Sequence, residues 1–237
     1  MQAVIMAAGK GSRINLTKKH PKCYLEINGK RLIDHQLDTL RLNGISDIIM
    51  VVGHMKDTIK SDYANQGITF VENPFFGVIN VLSSFWFSLP FIKDNFIYLH
   101  ADTIFEPAVF EKMMECNEKL VLPVDYKVCG EEEMKVNIQD GKIIEINKTM
   151  SSSTADGEFI GIAKIHKSLV SHLQEASDNI LFEEKYNSFF ESAVQEIISD
   201  NIVDATPVDI TGLKWNEIDF EEDFVHSLNL FSSSKIK

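Results

Sequence analysis

The chain has 237 residues, of which 44% are hydrophobic, and a formal net charge of −12. That length holds one large domain or two small ones, with apolar content for a sizeable core. The acidic balance excludes a general nucleic-acid binder, which needs a basic footprint, but leaves room for a small anionic ligand met by a few local cations, backbone N–H groups or a carboxylate-held metal.

Residues 4–7 (VIMA) read as a buried first strand, followed by a loop to about Cys23. Leu32, Ile33, Leu37 and Leu40 recur at helical spacing, and Asn43-Gly44 is a helix stop. Residues 47–52 (DIIMVV) predict a strand ending at Gly53, and 68–71 another before the Glu72-Asn73-Pro74 turn. A helix is expected over 80–89, then a buried strand over 96–99 (FIYL) ending at His100-Ala101-Asp102. This alternation describes βαβ units on a parallel sheet.

After Leu120 the pattern changes to short strand-like pieces at 120–124, 135–138, 142–146 and 159–165, with turns at Asp140-Gly141 and Asp156-Gly157. Helices are expected near 166–175 and 181–199, the second with Phe182, Tyr186, Phe189 and Phe190 on one apolar face. A strand at 202–208, a closing helix at 220–230 and a frayed tail over 232–237 complete the reading. No linker divides the chain and no repeat is present. The expected fold class is α/β: a Rossmann-like, mixed and mainly parallel sheet flanked by helices, with a small β-rich insertion. The whole of 1–237 then forms one domain, changing character near residue 120. Apolar stretches such as 81–91 are too short and interrupted to span a membrane, no basic n-region precedes an apolar h-region, and Cys23, Cys116 and Cys129 lack metal-like spacing. A cytoplasmic protein with reduced thiols is expected.

The opening stretch VIMAAGKGSRI, residues 4–14, runs a strand into a small-residue loop. Gly9 and Gly11 allow backbone N–H groups to approach an anion, and Lys10 and Arg13 add charge. No Lys-Ser/Thr pair makes it a Walker A loop, and Gly9-x-Gly11 lacks the third glycine of a dinucleotide fingerprint. A tight turn with a surface Arg is the alternative. His20-Pro21-Lys22 could return a second cation to the same loop, or simply expose a lysine. Asp102 follows a strand end, where open α/β sheets collect ligands, though Asp is also a turn former. In Trp215-Asn216-Glu217-Ile218-Asp219, alternation places Glu217 and Asp219 on one side and Ile218 on the other. Carboxylates from distant segments can converge on Mg²⁺ beside substrate phosphates; alternatively, Asp219 caps the helix that follows.

Taken in order, the AAGKGSR loop, the Pro-Lys, Asp102 and the WNEID segment resemble the sugar-phosphate nucleotidyltransferase family over nearly the whole chain. The compact length, Asn73-Pro74 followed by Asn80-x-x-Ser83, and the WNEIDFEEDF ending look most like the small bacterial cytidylyltransferases that activate phosphocholine, phosphoglutamine and related amine or amino-acid phosphates. Ile79 stands where relatives often carry the first of a paired Asn-Asn.

The resemblance implies transfer of CMP from CTP to a small phosphorylated acceptor with release of pyrophosphate, in the service of surface-polysaccharide modification. It implies Arg13, Lys22, Asp102 and Asp219 as the catalytic set, with Asp102 and Asp219 holding Mg²⁺. Ala7, Ala8, Gly9, Gly11, Ser12, Arg13, Asn80, Ser83 and Ala101 would bind the nucleotide. Lys148, Glu158, Gly161 and Glu217 would bind the acceptor. Trp86, Phe76 and Tyr126 are either a cage for a quaternary ammonium or core. CTP and the acceptor would be the partners, without nucleic acid or membrane, in a monomer or homodimer. A hexose-1-phosphate nucleotidyltransferase and a non-catalytic nucleotide-binding regulatory module are the alternatives.

Overall fold

A computed structural model describes residues 1–232, so all but Ser232 of the frayed tail expected over 232–237 lies outside the described residues. In chain order the elements are β1 (Gln2–Ala7), β2 (Glu26–Ile27), β3 (Lys30–Arg31), α1 (Leu32–Leu42), β4 (Asp47–Val52), α2 (Lys56–Asp62), β5 (Ile68–Glu72), α3 (Val81–Ser88), β6 (Phe96–His100), β7 (Thr103–Phe105) and α4 (Pro107–Glu115). Then come β8 (Leu120–Asp125), β9 (Lys135–Gln139), β10 (Lys142–Asn147), β11 (Gly157–Phe159), β12 (Ile162–Ile165), α5 (Val170–Phe182), α6 (Phe190–Ser199), β13 (Ala205–Asp209), β14 (Trp215–Glu217) and α7 (Glu221–Leu230).

Ten strands form one mixed sheet in the order β11-β9-β10-β13-β8-β12-β6-β1-β4-β5. β1 is parallel to both β4 and β6, and β4 is parallel to β5. β12 runs antiparallel to β6 and to β8, so the later β-rich stretch continues the same sheet. β1 is buried on both faces, as a central parallel strand must be. Val4 and Met6 join a core layer that holds α3, α5 and α6 residues such as Phe85, Leu173 and Phe190. Ala3 and Ile5 join the opposite layer with Ile33 and Leu37 of α1 and Phe110 of α4. The chain runs outward through β4 and β5, then returns to β6 on the other side of β1. That reversal opens a crevice at the carboxyl ends of β1 and β6.

Two expectations change, and one strand pair is new. The strand read over 159–165 is two strands, broken where Gly161 takes φ +75°. The helix read over 181–199 is a loop followed by α6: α5 ends at Phe182, which is exposed, and only Phe190 of the four expected aromatics is fully buried. Periodicity alone bridged a chain reversal that Glu184 makes at φ +60°. The small antiparallel pair β7–β14, unread in the sequence, ties the two candidate acidic segments together through Glu217↔Thr103.

Candidate active site

The crevice contains a cavity of about 340 Å³. Its floor is the end of β1 with Ala7, Ala8 and Gly9; Ala101 and Asp102 enter from beyond β6, and Glu217 and Asp219 from β14 and the turn after it. Ile218 donates its backbone N–H to the Asp102 carbonyl at 3.1 Å while its side chain is fully buried. Pinning the middle residue leaves its two acidic neighbours facing the cavity. Asp219 does not cap α7: the Asp223 carboxylate folds back instead to accept from the backbone N–H groups of Asp219 and Phe220 at 2.9 and 2.7 Å.

Lys22 lies at the centre. Its Nζ donates to Asp102 Oδ2 at 2.7 Å and to Asp219 Oδ1 at 2.6 Å. Burial alone would push the ammonium's pKa down, but the two carboxylates outweigh it and hold it above the ordinary lysine range. Asp102 is held below the usual carboxylate range, since Lys22 and His100 outweigh its own burial. Arg13 reaches Asp219 from the loop at 3.4 Å with its guanidinium over the Phe220 ring, and remains half-exposed.

The two loop glycines have different tasks. Gly11 adopts φ +60°, and a Cβ there would stand 2.9 Å from Lys22 Cβ, so this position seats the lysine stem. Gly9 has nothing within 4 Å of a Cβ and faces open space. Lys10 turns away from the acidic cluster, over the Phe76 ring.

Gly11 and Ser12 do not line the cavity themselves. Asn80 does, but its side chain is already engaged: Oδ1 accepts from the Val81 N–H at 2.8 Å, and Nδ2 donates to the Asn187 carbonyl at 3.0 Å. Ser83 falls outside the lining and is buried; helical spacing brings Ser84 into the wall instead, with its Oγ accepting from Asn73 at 2.8 Å. Lys148 and Gly161 also line the cavity, Lys148 with its ammonium over Phe189. Glu158 faces an adjoining cavity of about 640 Å³, which shares Glu217 and Asp219 with the first, and pairs there with Lys127 at 2.6 Å. Of the aromatics considered for a cage, Phe76 alone reaches the first cavity; Trp86 donates to Asp178 at 2.6 Å and Tyr126 lies outside both linings.

Two cavity residues carried no readable motif. His100 lies between Glu217 Oε1 at 3.4 Å and the Tyr98 hydroxyl at 2.8 Å, with Gly161 packed so closely that a Cβ there would stand 2.7 Å from Nδ1. Burial opposes its protonation, but Glu217 wins and lifts its pKa to about 9. Its position directly before Ala101-Asp102 was the available signal. The second, Glu191 on α6, has no local sequence signal at all.

The convergence of Asp102 and Asp219 on one point offers hard carboxylate oxygens suited to Mg²⁺. His100, Asp102 and Glu217 also have ligand atoms within 4.8 Å of one another. The donor chemistry therefore fits a divalent cation. Among the described residues, no helix is long and apolar enough to cross a membrane, and all three cysteines are unpaired thiols.

The chain is 28% identical to the CTP:phosphoglutamine cytidylyltransferase of Campylobacter jejuni over 94% of its length and 97% of the relative's. It is 27% identical to the choline-phosphate cytidylyltransferase of Streptococcus pneumoniae, covering 68% of this chain and 80% of the relative. Its fold superposes on the solved CTP:phosphocholine cytidylyltransferase of Streptococcus pneumoniae with a TM-score of 0.79 at 21% identity, covering 97% of this chain and 98% of that one. It superposes on the inositol-1-phosphate CTP transferase from T. maritima with a TM-score of 0.78 at 20% identity, covering 98% and 96%. The MobA-like NTP transferase domain matches residues 3–188, and the chain belongs to that nucleotidyltransferase family.

Proposed function

We propose that this chain transfers CMP from CTP to a small phosphorylated metabolite of the amine or amino-acid class, with release of pyrophosphate. The observation that carries the reading is the Lys22 ammonium held between Asp102 and Asp219 at the mouth of the small-residue loop. The relatives' activities support the choice of CTP and of the acceptor class.

In this reaction a phosphate oxygen of the acceptor attacks the α-phosphorus, and the bond from that phosphorus to the bridging oxygen of pyrophosphate breaks. The attacking phosphate is already ionised at neutral pH, so no general base is needed. Bringing two polyanions together makes positioning and charge neutralisation the main tasks. Lys22, held protonated, supplies a fixed positive charge where acceptor and α-phosphate meet. Arg13 and the backbone at Gly9, which line the cavity, receive the β- and γ-phosphates. Ala7 and Ala8 are small enough for the base to lie against the strand end. Asp102 and Asp219 would hold Mg²⁺, which would supply neutralisation of charge on the reacting phosphates. Lys148, Gly161 and Glu217 face the acceptor; Glu158 does so from the adjoining cavity. The setting is cytoplasmic, upstream of surface-polysaccharide modification.

The test is pyrophosphate release by purified variants. Asp102→Asn, Asp219→Asn and Lys22→Ala should each lose about 10²-fold or more in turnover, with thermal melting showing a retained fold. Lys10→Ala should stay within about threefold of wild type, because that side chain faces Phe76. Near-normal turnover in any of the first three variants would remove that residue from the machinery.

A further inference from the structure

Glu191 is the one cavity-wall carboxyl left without a task by the reaction above. It is 2% exposed, and neither of its oxygens has a hydrogen-bond partner among the described residues. Its place in the wall is fixed by its neighbour: the Phe190 ring stacks on Tyr98 at 3.9 Å and meets Phe85 edge-on at 4.8 Å. α6 therefore starts from an anchored aromatic, and Glu191 is held in the wall of the cavity that Lys148, Phe159 and Phe189 also line. Burial pushes its carboxyl pKa up, with the positive charge of His100 opposing.

A buried carboxyl with two unmatched oxygens costs stability unless something supplies donors. Phosphate cannot, because it brings acceptors and negative charge. Glu191 and Lys22 line the same cavity from different elements, so an acceptor with its phosphate at Lys22 and its opposite end toward α6 meets both. We infer that Glu191 selects acceptors whose tail carries N–H donors, an ammonium or a carboxamide, over those ending in a quaternary ammonium. The inference rests on the transfer reaction proposed above. A trimethylammonium group offers charge without any N–H, and leaves both oxygens unpaired. A primary ammonium of the same length satisfies both. Lys148 on the same wall would suit a carboxylate on that tail, as in an amino-acid phosphate.

The test uses two ligands that differ only in this group, 2-aminoethyl phosphate and choline phosphate. Each is titrated calorimetrically into the full chain with Mg²⁺ and a CTP analogue whose α,β-bridge is methylene. The aminoethyl compound should bind at least about tenfold more tightly, the size of a charge-assisted hydrogen bond. In Glu191→Gln the preference should collapse to within about threefold, while the analogue's own affinity is unchanged. Thermal melting of Glu191→Gln should show no large loss, because no protein hydrogen bond depends on the carboxylate; a purely structural glutamate would show one.

Equal or tighter binding of choline phosphate to wild type would overturn the inference, as would a preference that survives in Glu191→Gln or no binding of either phosphate. Weakened binding of the analogue in Glu191→Gln would assign the residue to the base and overturn it too. Selective binding without pyrophosphate release from CTP itself would contradict the transfer reaction while supporting the Glu191 contact.

Discussion

At the scale of single residues, the site depends on charges that are out of water but matched. Lys22 bonds two carboxylates, so its charge is fixed in place before any phosphate arrives. Glu158 shows what happens where matching is weaker. Burial pushes its carboxyl up to about 7, and Lys127 only partly offsets this. With a folded-state value above that of the unfolded chain, the native state binds more protons between about pH 4.5 and 7. Stability from this residue is therefore greatest below that window and is lost as pH rises through it. Glu158→Gln should remove this contribution, so melting curves of wild type and variant should diverge as pH climbs from 4.5 to 7, with wild type falling faster. Parallel profiles would show that Glu158 titrates normally. Some of these residues were legible in the sequence and some were not. Lys22, Asp102 and Asp219 each sit in a short recognisable segment, whereas Glu191 is one acidic residue in an amphipathic helix, and only the packing of Phe190 brings it to the cavity.

At the scale of elements, the loop after β1 acts as a seat as much as a cradle. Its strand and glycines could be read from composition, but the contact between Gly11 and the Lys22 stem could not, because it joins positions 11 residues apart across an irregular chain path. Gly11→Ala places a Cβ in a left-handed backbone conformation, at a cost of about 1–2 kcal/mol, and drives it against Lys22. Denaturant unfolding should show that loss. Turnover should fall more than tenfold, because displacing a positioning charge by an ångström is expensive in rate. A variant with unchanged turnover would separate Gly11 from Lys22. Among regular elements, β4 matched its sequence reading end to end, since a β-branched run bounded by turn residues has no competing pattern. α2 was missed because Ile59 is its only buried residue, too few for a period. α4 was missed despite Pro107 at its start and Val109, Phe110 and Met113 on its buried face. Ser83 was placed in the site by motif, yet one residue on a helix turns the side chain by about 100°, which brings Ser84 into the wall instead.

At the scale of the molecule, topology explains why residues at positions 13, 22, 102 and 219 meet. β1 takes neighbours on both sides, the chain reverses across it, and the late β7–β14 pair brings the carboxyl-rich end of the chain back to β6. The parallel half was legible as alternating strands and helices. The antiparallel half was legible as strands but not as a continuation of the same sheet, because strand pairing is long-range and leaves no local mark. The ten strands give one crevice, and the central claim concerns what joins there. The most direct measurement is pyrophosphate release with Mg²⁺, crossing the four nucleoside triphosphates with aminoethyl phosphate, choline phosphate, phosphoglutamine and hexose 1-phosphates. Release with CTP and an amine or amino-acid phosphate, abolished in Asp102→Asn, is the result expected. Release only with a hexose 1-phosphate, or with none of the acceptors, would contradict it.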